Sequence, residues 1–391
     1  MIYRSSKPRW RLRDLGAPLL AIDVTEFLHN PIRTGIQRVV REILTHWPEE
    51  IAKEIVCFEP SAGTFIRVEP EVVAYCIEQS GNPYLSVAEA ANVIAASLAT
   101  SVDRIVLQRG DRVLVPELFV AVDRIQFYEQ IHRAGVELFP VVYDFLAWTS
   151  PDALNIPYVG GLNDYLSFLL RAKRRSFISR SVHDVFYTRL LRKPAGDDQI
   201  MPLGADAMRR QPGNQGKRST PYFVCAGALD GRKGQDAVLR AFLASTANEL
   251  CDLIFAGKIP SAPRREMVAL IASTHPRVKL IDDPDDLELA LLIQGAQASF
   301  FISRNEGFGL PAVESLYLGT PVVVAVELPA ISHLGPYGQI RLQGESEAEL
   351  VEAMNRLVQP NEAGKLKSEI PRLNLQTWAS YAKSIANWAS S

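Results

Sequence analysis

Apolar runs of four to six residues alternate along this chain with longer stretches in which apolar residues return every three or four positions. That alternation predicts strands and helices in turn, the order from which α/β units on a parallel sheet are built. In the first half, Leu19–Val24, Arg104–Leu107, Arg112–Val115, Val136–Val142, Phe177–Ser179 and Gln199–Met201 read as strands. Helical spacing falls at Ile36–Leu44, Leu118–Ala134 and Asp184–Leu191. Residues 208–220 are polar and rich in helix breakers, and read as a linker. A second series then begins, with strands at Tyr222–Ala226, Leu253–Ala256, Val278–Ile281, Ser299–Ile302 and Pro321–Ala325. Helical patterns near 234–245, 261–273, 286–297 and 346–357 separate them, and a last helix covers about Gln376–Trp388. No repeat at solenoid periods and no low-complexity tract interrupts the pattern. The fold expected is α/β: two Rossmann-like doubly wound domains facing each other across a cleft. They take in residues 1–207 and 221–370, with 371–391 as a closing helix that packs back on the first. A cleft lined by the carboxyl ends of two sheets is where α/β proteins bind ligands.

The densest chemistry follows the fourth strand of the second series. Asn305, Glu306, Gly307, Phe308, Gly309, Leu310 and Pro311 lead from a buried strand into a helix that carries Glu314 one turn in. Pro near the first helical position costs nothing, because its missing N–H would have no intrahelical partner there. The two glycines let a ligand approach the backbone, and the free amides of a helix start attract an anion. An anion cradle bordered by two carboxylates suits a ligand carrying both phosphate and hydroxyl groups, such as a sugar nucleotide. The plain alternative is a capped strand-turn-helix whose glutamates merely complement the helix dipole.

A second cradle follows Tyr222–Ala226, where Gly227 opens a turn that ends in Arg232 and Lys233 at a helix start. Cations are disfavoured at helix N-termini, so adjacent cations there call for an anion to offset them. A solvated pair of loop cations is the alternative.

At 391 residues, 47% hydrophobic and 22% charged, the chain suits two soluble globular domains and excludes disordered and collagen-like classes. Its net charge of −2 argues against nucleic acid as a partner. Four scattered cysteines, Cys57, Cys76, Cys225 and Cys251, show no zinc spacing and suit reduced thiols in a cytoplasmic protein. No window approaches the length of a membrane span, and the basic N-terminal residues lack the apolar core of a secretory signal.

Together, the two cradles resemble those of retaining GT-B glycosyltransferases of family four, whose E-x7-E region matches Glu306 and Glu314. The resemblance spans most of the chain and is densest from 222 to 327. It implies that Glu306 contacts the donor sugar and Glu314 the ribose hydroxyls, while the backbone of Gly307, Phe308, Gly309 and Leu310 lies against sugar and diphosphate. It also implies that Lys233 and Arg232 hold the diphosphate and stabilise charge on the departing nucleotide. Many relatives place an Arg directly after the Gly that corresponds to Gly227, whereas this chain has Ala228, so Arg232 takes that role only by substitution.

On the acceptor side, the phrase Thr34-Gly35-Ile36-Gln37-Arg38 resembles a subgroup acting in bacterial surface-polysaccharide assembly. The resemblance implies backbone approach at Gly35 and a phosphate or acceptor contact at Arg38; a plain Thr34 N-cap with a solvated Arg38 is the other reading. Asp144 ends another strand. It is either a general base or an acceptor hydrogen-bond partner, unless it only shapes its turn. Tyr143 stands where relatives often have a His. The helix from Asp164 to Arg175 joins apolar and basic faces, which would suit peripheral contact with the inner face of a bacterial plasma membrane.

Two look-alikes are set aside. The run Asp282, Asp283, Pro284, Asp285, Asp286 resembles a D-x-D metal motif but leads into a helix, where Asp caps are expected; in family four this loop lies near the nucleotide base. A serine-hydrolase elbow is missing from the sequence.

The function expected is therefore a metal-independent hexosyltransferase with no cofactor. It would take hexose, mannose from GDP-mannose favoured, from a nucleotide sugar to a glycan or lipid-linked acceptor. A sugar-nucleotide epimerase and a non-catalytic scaffold are the alternatives.

Overall fold

The computed structural model describes residues 18–29, 34–79, 87–100, 103–151, 160–208, 211, 218–229, 231–259, 275–303, 305–343 and 346–391. They form two compact units, one running up to Pro202 and taking in Trp378–Ser391, the other comprising Leu203–Thr377.

The first unit is built on an eight-stranded sheet. Its strands are β1 (Leu20–Asp23), β2 (Glu54–Glu59), β3 (Thr64–Arg67), β4 (Arg104–Ile105), β5 (Arg112–Val115), β6 (Glu137–Val142), β7 (Ser176–Phe177) and β8 (Gln199–Ile200), in the order β4-β3-β2-β1-β5-β6-β7-β8. From β2 through β8 by way of β1 the pairing is parallel, with Ala21 beside both Glu54 and Val113. Parallel strands covered on both faces must be apolar throughout, which is why Leu20, Ala21, Ile22, Val113, Leu114 and Val115 are all buried. At the other edge β2, β3 and β4 run antiparallel, with Phe58 opposite Phe65. The purely parallel reading of this half is corrected there. The helix expected over Leu118–Ala134 occupies Val122–Arg133, because Phe119 turns inward against Tyr128 and Phe168. The one expected at Asp184–Leu191 is an α-helix over Arg180–Asp184 that continues as a π-helix over Val185–Leu191.

The closing helix Trp378–Ser390 belongs to this unit. Trp378, Tyr381, Ala382, Ile385, Ala386 and Ala389 recur at helical spacing and are fully buried, while Trp388 meets Phe139 edge-on at 5.0 Å. Arg112 donates to the carbonyl of Ser390.

In the second unit, β9 (Tyr222–Ala226), β10 (Asp252–Ala256), β11 (Val278–Ile281), β12 (Ala298–Phe301), β13 (Val322–Ala325) and β14 (Gln339–Leu342) form an all-parallel sheet in the order β11-β10-β9-β12-β13-β14. The chain builds outward from β9 to β11, then returns to the other side of β9 as β12. Connections on either side of that reversal leave toward opposite faces, so a crevice opens between the carboxyl ends of β9 and β12. Residues 203–220 include the expected linker. Their described members attach to this unit: Met208 is buried with Tyr222 and Val224, and Gln211 exchanges hydrogen bonds of 3.0 and 2.7 Å with Gln294. Among the described residues, no helix is long and apolar enough to cross a membrane.

Candidate active site

Both predicted cradles arrive at the reversal point of the second sheet. After β9 the chain turns through Gly227, passes a short 3-10 turn over Gly231–Lys233, and enters the helix Gln235–Ala244. Gly234, at φ 67°, caps that helix so close to the carbonyl of Ile302 that a side chain would overlap it. This contact seats the Arg232–Lys233 loop on the end of β12. Lys233 folds back over the turn, and a Cβ placed on Gly227 would meet its Nζ at 3.2 Å. The side chains of Arg232 and Lys233 are both half-buried.

After β12 the chain runs through Ser303 to Glu306, then through buried Gly307, Phe308 and Gly309 into the helix Leu310–Tyr317. Gly309 caps this helix at φ 105°, packed so that a Cβ would approach Leu328 at 2.7 Å. The carbonyl of Phe308 accepts from the amide of Ala330 at 2.9 Å. The segment after β13 thus braces the Gly307–Leu310 turn from behind. Glu306 is half-buried, and its Oε1 accepts from Ser303 Oγ at 2.8 Å. The same hydroxyl lies 3.4 Å from the carbonyl of Arg232. Glu314, in the second turn of the helix, is buried with 2% of its surface exposed. Sequence reasoning missed Ser303, although its place three residues before Glu306 at a strand end was a usable signal.

The first unit carries the remaining predicted residues. Thr34 caps the helix Gly35–Thr45 by accepting from the amide of Gln37 at 3.2 Å. Gly35 is exposed, and a Cβ there would meet nothing within 4 Å, so its packing does not demand glycine. Arg38 is half-buried on the same turn. Asp144 follows β6 and accepts from the amide of Leu146 at 3.1 Å, which starts the short helix Leu146–Thr149. The preceding Tyr143 is buried and donates to the carbonyl of Pro116 at 2.7 Å.

A buried ionic cluster was not foreseen. At the reversal point of this sheet, between β1 and β5, Arg124 donates to Asp23 at 2.6 Å and to Glu117 at 2.8 Å, and reaches Glu26 at 3.3 Å. Tyr128 donates to Asp23 as well, and the guanidinium lies over the ring of Phe119 at 4.1 Å. Glu117 also accepts from the amides of Glu26 and Phe27, at 2.9 and 2.7 Å, and so fixes the start of the helix Thr25–His29. Gln37 Nε2 in turn donates to the carbonyl of Glu26 at 3.3 Å, tying the helix that holds Gly35 and Arg38 to the same clamp. Burial pushes the Glu117 carboxyl up to about 7 against the opposing pull of Arg124, with Asp23 adding to the rise.

The basic run that suggested a membrane face is engaged within this unit. Arg171 pairs with Glu129 at 2.6 Å, Arg174 lies over Phe139, and Arg175 pairs with Asp198 at 2.9 Å. Asp285 in the acidic run accepts from the amide of Glu288 at 2.7 Å and caps the helix Asp286–Gly295.

Two α/β units, the second with its phosphate-type and carboxylate-bearing turns at one reversal point, define a protein of the GT-B fold class. The chain matches, over residues 207–368, the family model described as glycosyl transferases group 1. Among curated proteins it is similar to MMP alpha-(1->4)-mannosyltransferase of Mycolicibacterium hassiacum, 30% identical over 210 residues, which are 49% of this chain and 49% of that one. It is also similar to the serotype-specific mannosyltransferase WbdA of Escherichia coli, 25% identical over 368 residues, covering 86% of this chain and 42% of WbdA. The chain thus spans about half the length of the curated relatives it matches. Sucrose-phosphate synthase of Thermosynechococcus elongatus shares the fold, with a TM-score of 0.59 at 15% identity over 94% of this chain and 96% of that one.

Proposed function

We propose that the protein is a retaining hexosyltransferase that moves a hexose, mannose for preference, from a nucleotide diphosphate sugar to a glycan or lipid-linked acceptor in bacterial polysaccharide assembly. The observation that carries this reading is the Ser303 hydroxyl held between the Glu306 carboxylate and the Arg232 carbonyl. It joins an anion-seeking loop and a hydroxyl-seeking carboxylate at the reversal point of the second sheet. Mannose is favoured because two curated relatives are described as mannosyltransferases.

In this reading the diphosphate lies over Gly227 within reach of Lys233 and Arg232, and the backbone of Gly307–Leu310 faces it. Glu306 accepts from sugar hydroxyls and Glu314 from the ribose. As the glycosidic bond breaks, negative charge grows on the diphosphate, and fixed cations and amides stabilise it more than they stabilise the ground state. Those groups supply the charge that the proposal needs without a metal ion. Asp144 and Arg38 are assigned to the acceptor. With Arg171, Arg174 and Arg175 held by Glu129, Phe139 and Asp198, the proposal is of a cytoplasmic protein and does not rest on lipid contact.

The test is transfer by Lys233→Ala. Loss of one cation from the leaving group should lower kcat/KM by at least about tenfold, or roughly 1.4 kcal/mol of barrier. Unchanged turnover would remove Lys233 from the site.

A further inference from the structure

Glu306 sits on a loop, yet the role proposed for it demands a fixed carboxylate. Among the described residues, Ser303 Oγ is the single hydrogen-bond donor to its side chain, at 2.8 Å. Ser303 follows β12 almost directly and is itself buried, with 5% of its surface exposed. Its backbone is held on the other side by the approach of Gly234 to the neighbouring Ile302 carbonyl. A hydroxyl has one proton to give, and a carboxylate at short range takes it in preference to a carbonyl at 3.4 Å. The strand end thereby lends its rigidity to a side chain that the loop alone would leave free to change rotamer.

We infer that Ser303 is a positioning residue for Glu306, selecting for the sugar half of the nucleotide sugar while leaving the diphosphate half to Lys233 and Arg232. The inference rests on the donor reading given above. It differs from that reading in predicting that two halves of one ligand respond differently to the loss of one hydroxyl.

The experiment first selects, by thermal shift, whichever of the GDP-, UDP-, dTDP- and ADP-hexoses stabilises the wild-type protein most. Calorimetric titration then measures that nucleotide sugar and its own nucleoside diphosphate against wild type, Ser303→Ala, Glu306→Gln and the double variant. Ser303→Ala should weaken the nucleotide sugar about tenfold, and the nucleoside diphosphate by less than about twofold. In the Glu306→Gln background Ser303→Ala should add almost nothing, since it acts through that carboxylate. Equal losses for both ligands, or losses that simply add, would make Ser303 a structural residue and overturn the inference. If Glu306→Gln leaves the nucleotide sugar unaffected, or no nucleotide sugar shifts the wild type, the donor reading itself falls. Circular dichroism of Ser303→Ala separates misfolding from mispositioning, and Ser303→Thr, which keeps the hydroxyl, should restore much of the preference for the sugar.

Discussion

Glu117 shows how one residue links chemistry to shape. Its two oxygens receive three donors, two from the start of the helix Thr25–His29 and one from Arg124, so this carboxyl group holds the start of that helix. The ordinary value for such a carboxyl is 4.5, and burial raises it to about 7 in the folded protein. Between those values the folded protein keeps a proton that the unfolded chain has lost. This group's contribution to stability therefore grows as pH falls from about 8 toward about 5, and is lost as pH rises through about 7. Melting temperatures of wild type and Glu117→Gln across that range should diverge, with wild type gaining on the acid side. A constant difference would contradict the assignment. No sequence signal revealed this residue, because its amide partners at Glu26 and Phe27 lie 91 and 90 positions away and only the order of the sheet brings β1 beside β5. The turns that carry Gly227, Lys233, Glu306 and Glu314 were legible, since each joins a strand to a helix with a local reason for its residue types. Ser303 escaped because a serine at a strand end has many ordinary explanations, and its role appears only with the Arg232 loop beside it.

At the scale of elements, the two site turns are set by close backbone contact. Gly234 has left-handed φ and no room for a Cβ against Ile302, whereas Gly35 has open space around it. Gly234→Ala should cost about 2 kcal/mol in urea unfolding, through strain and overlap together. Gly35→Ala, at the start of a helix with nothing in its way, should be close to neutral. Equal midpoints for the two variants would show that the Gly234 packing does not seat the loop. Alternating apolar runs revealed most strands and helices, yet missed β14 in the second unit and, in the first, the pair β2 and β3. The strands of that pair are short and bounded by Glu54, Glu59 and Arg67, and their hairpin closes an edge where one face needs no long apolar run. Predicted helix 261–273 lies outside the described residues.

For the whole molecule, hydrophobic pattern reports which elements follow one another, but not the order in which they line up. Two doubly wound units were legible because strand and helix alternate twice around a polar stretch. The reversal points were not, since the outward and returning halves of each sheet look alike in sequence. Where each reversal falls decides which side chains meet there. In the second unit it gathers glycine turns, cations and carboxylates. In the first it is filled by Arg124 and three carboxylates.

The central claim is that the reversal point of the second sheet binds a nucleotide diphosphate sugar through Lys233 and Glu306. Thermal shift of the wild-type protein and of Lys233→Ala against GDP-, UDP-, dTDP- and ADP-hexoses tests it most directly, because a ligand that binds only the folded state raises the melting temperature. One donor series should stabilise the wild type, with GDP-mannose expected to lead, and the shift should largely vanish in Lys233→Ala. No shift with any donor, or an equal shift in wild type and variant, would contradict the claim.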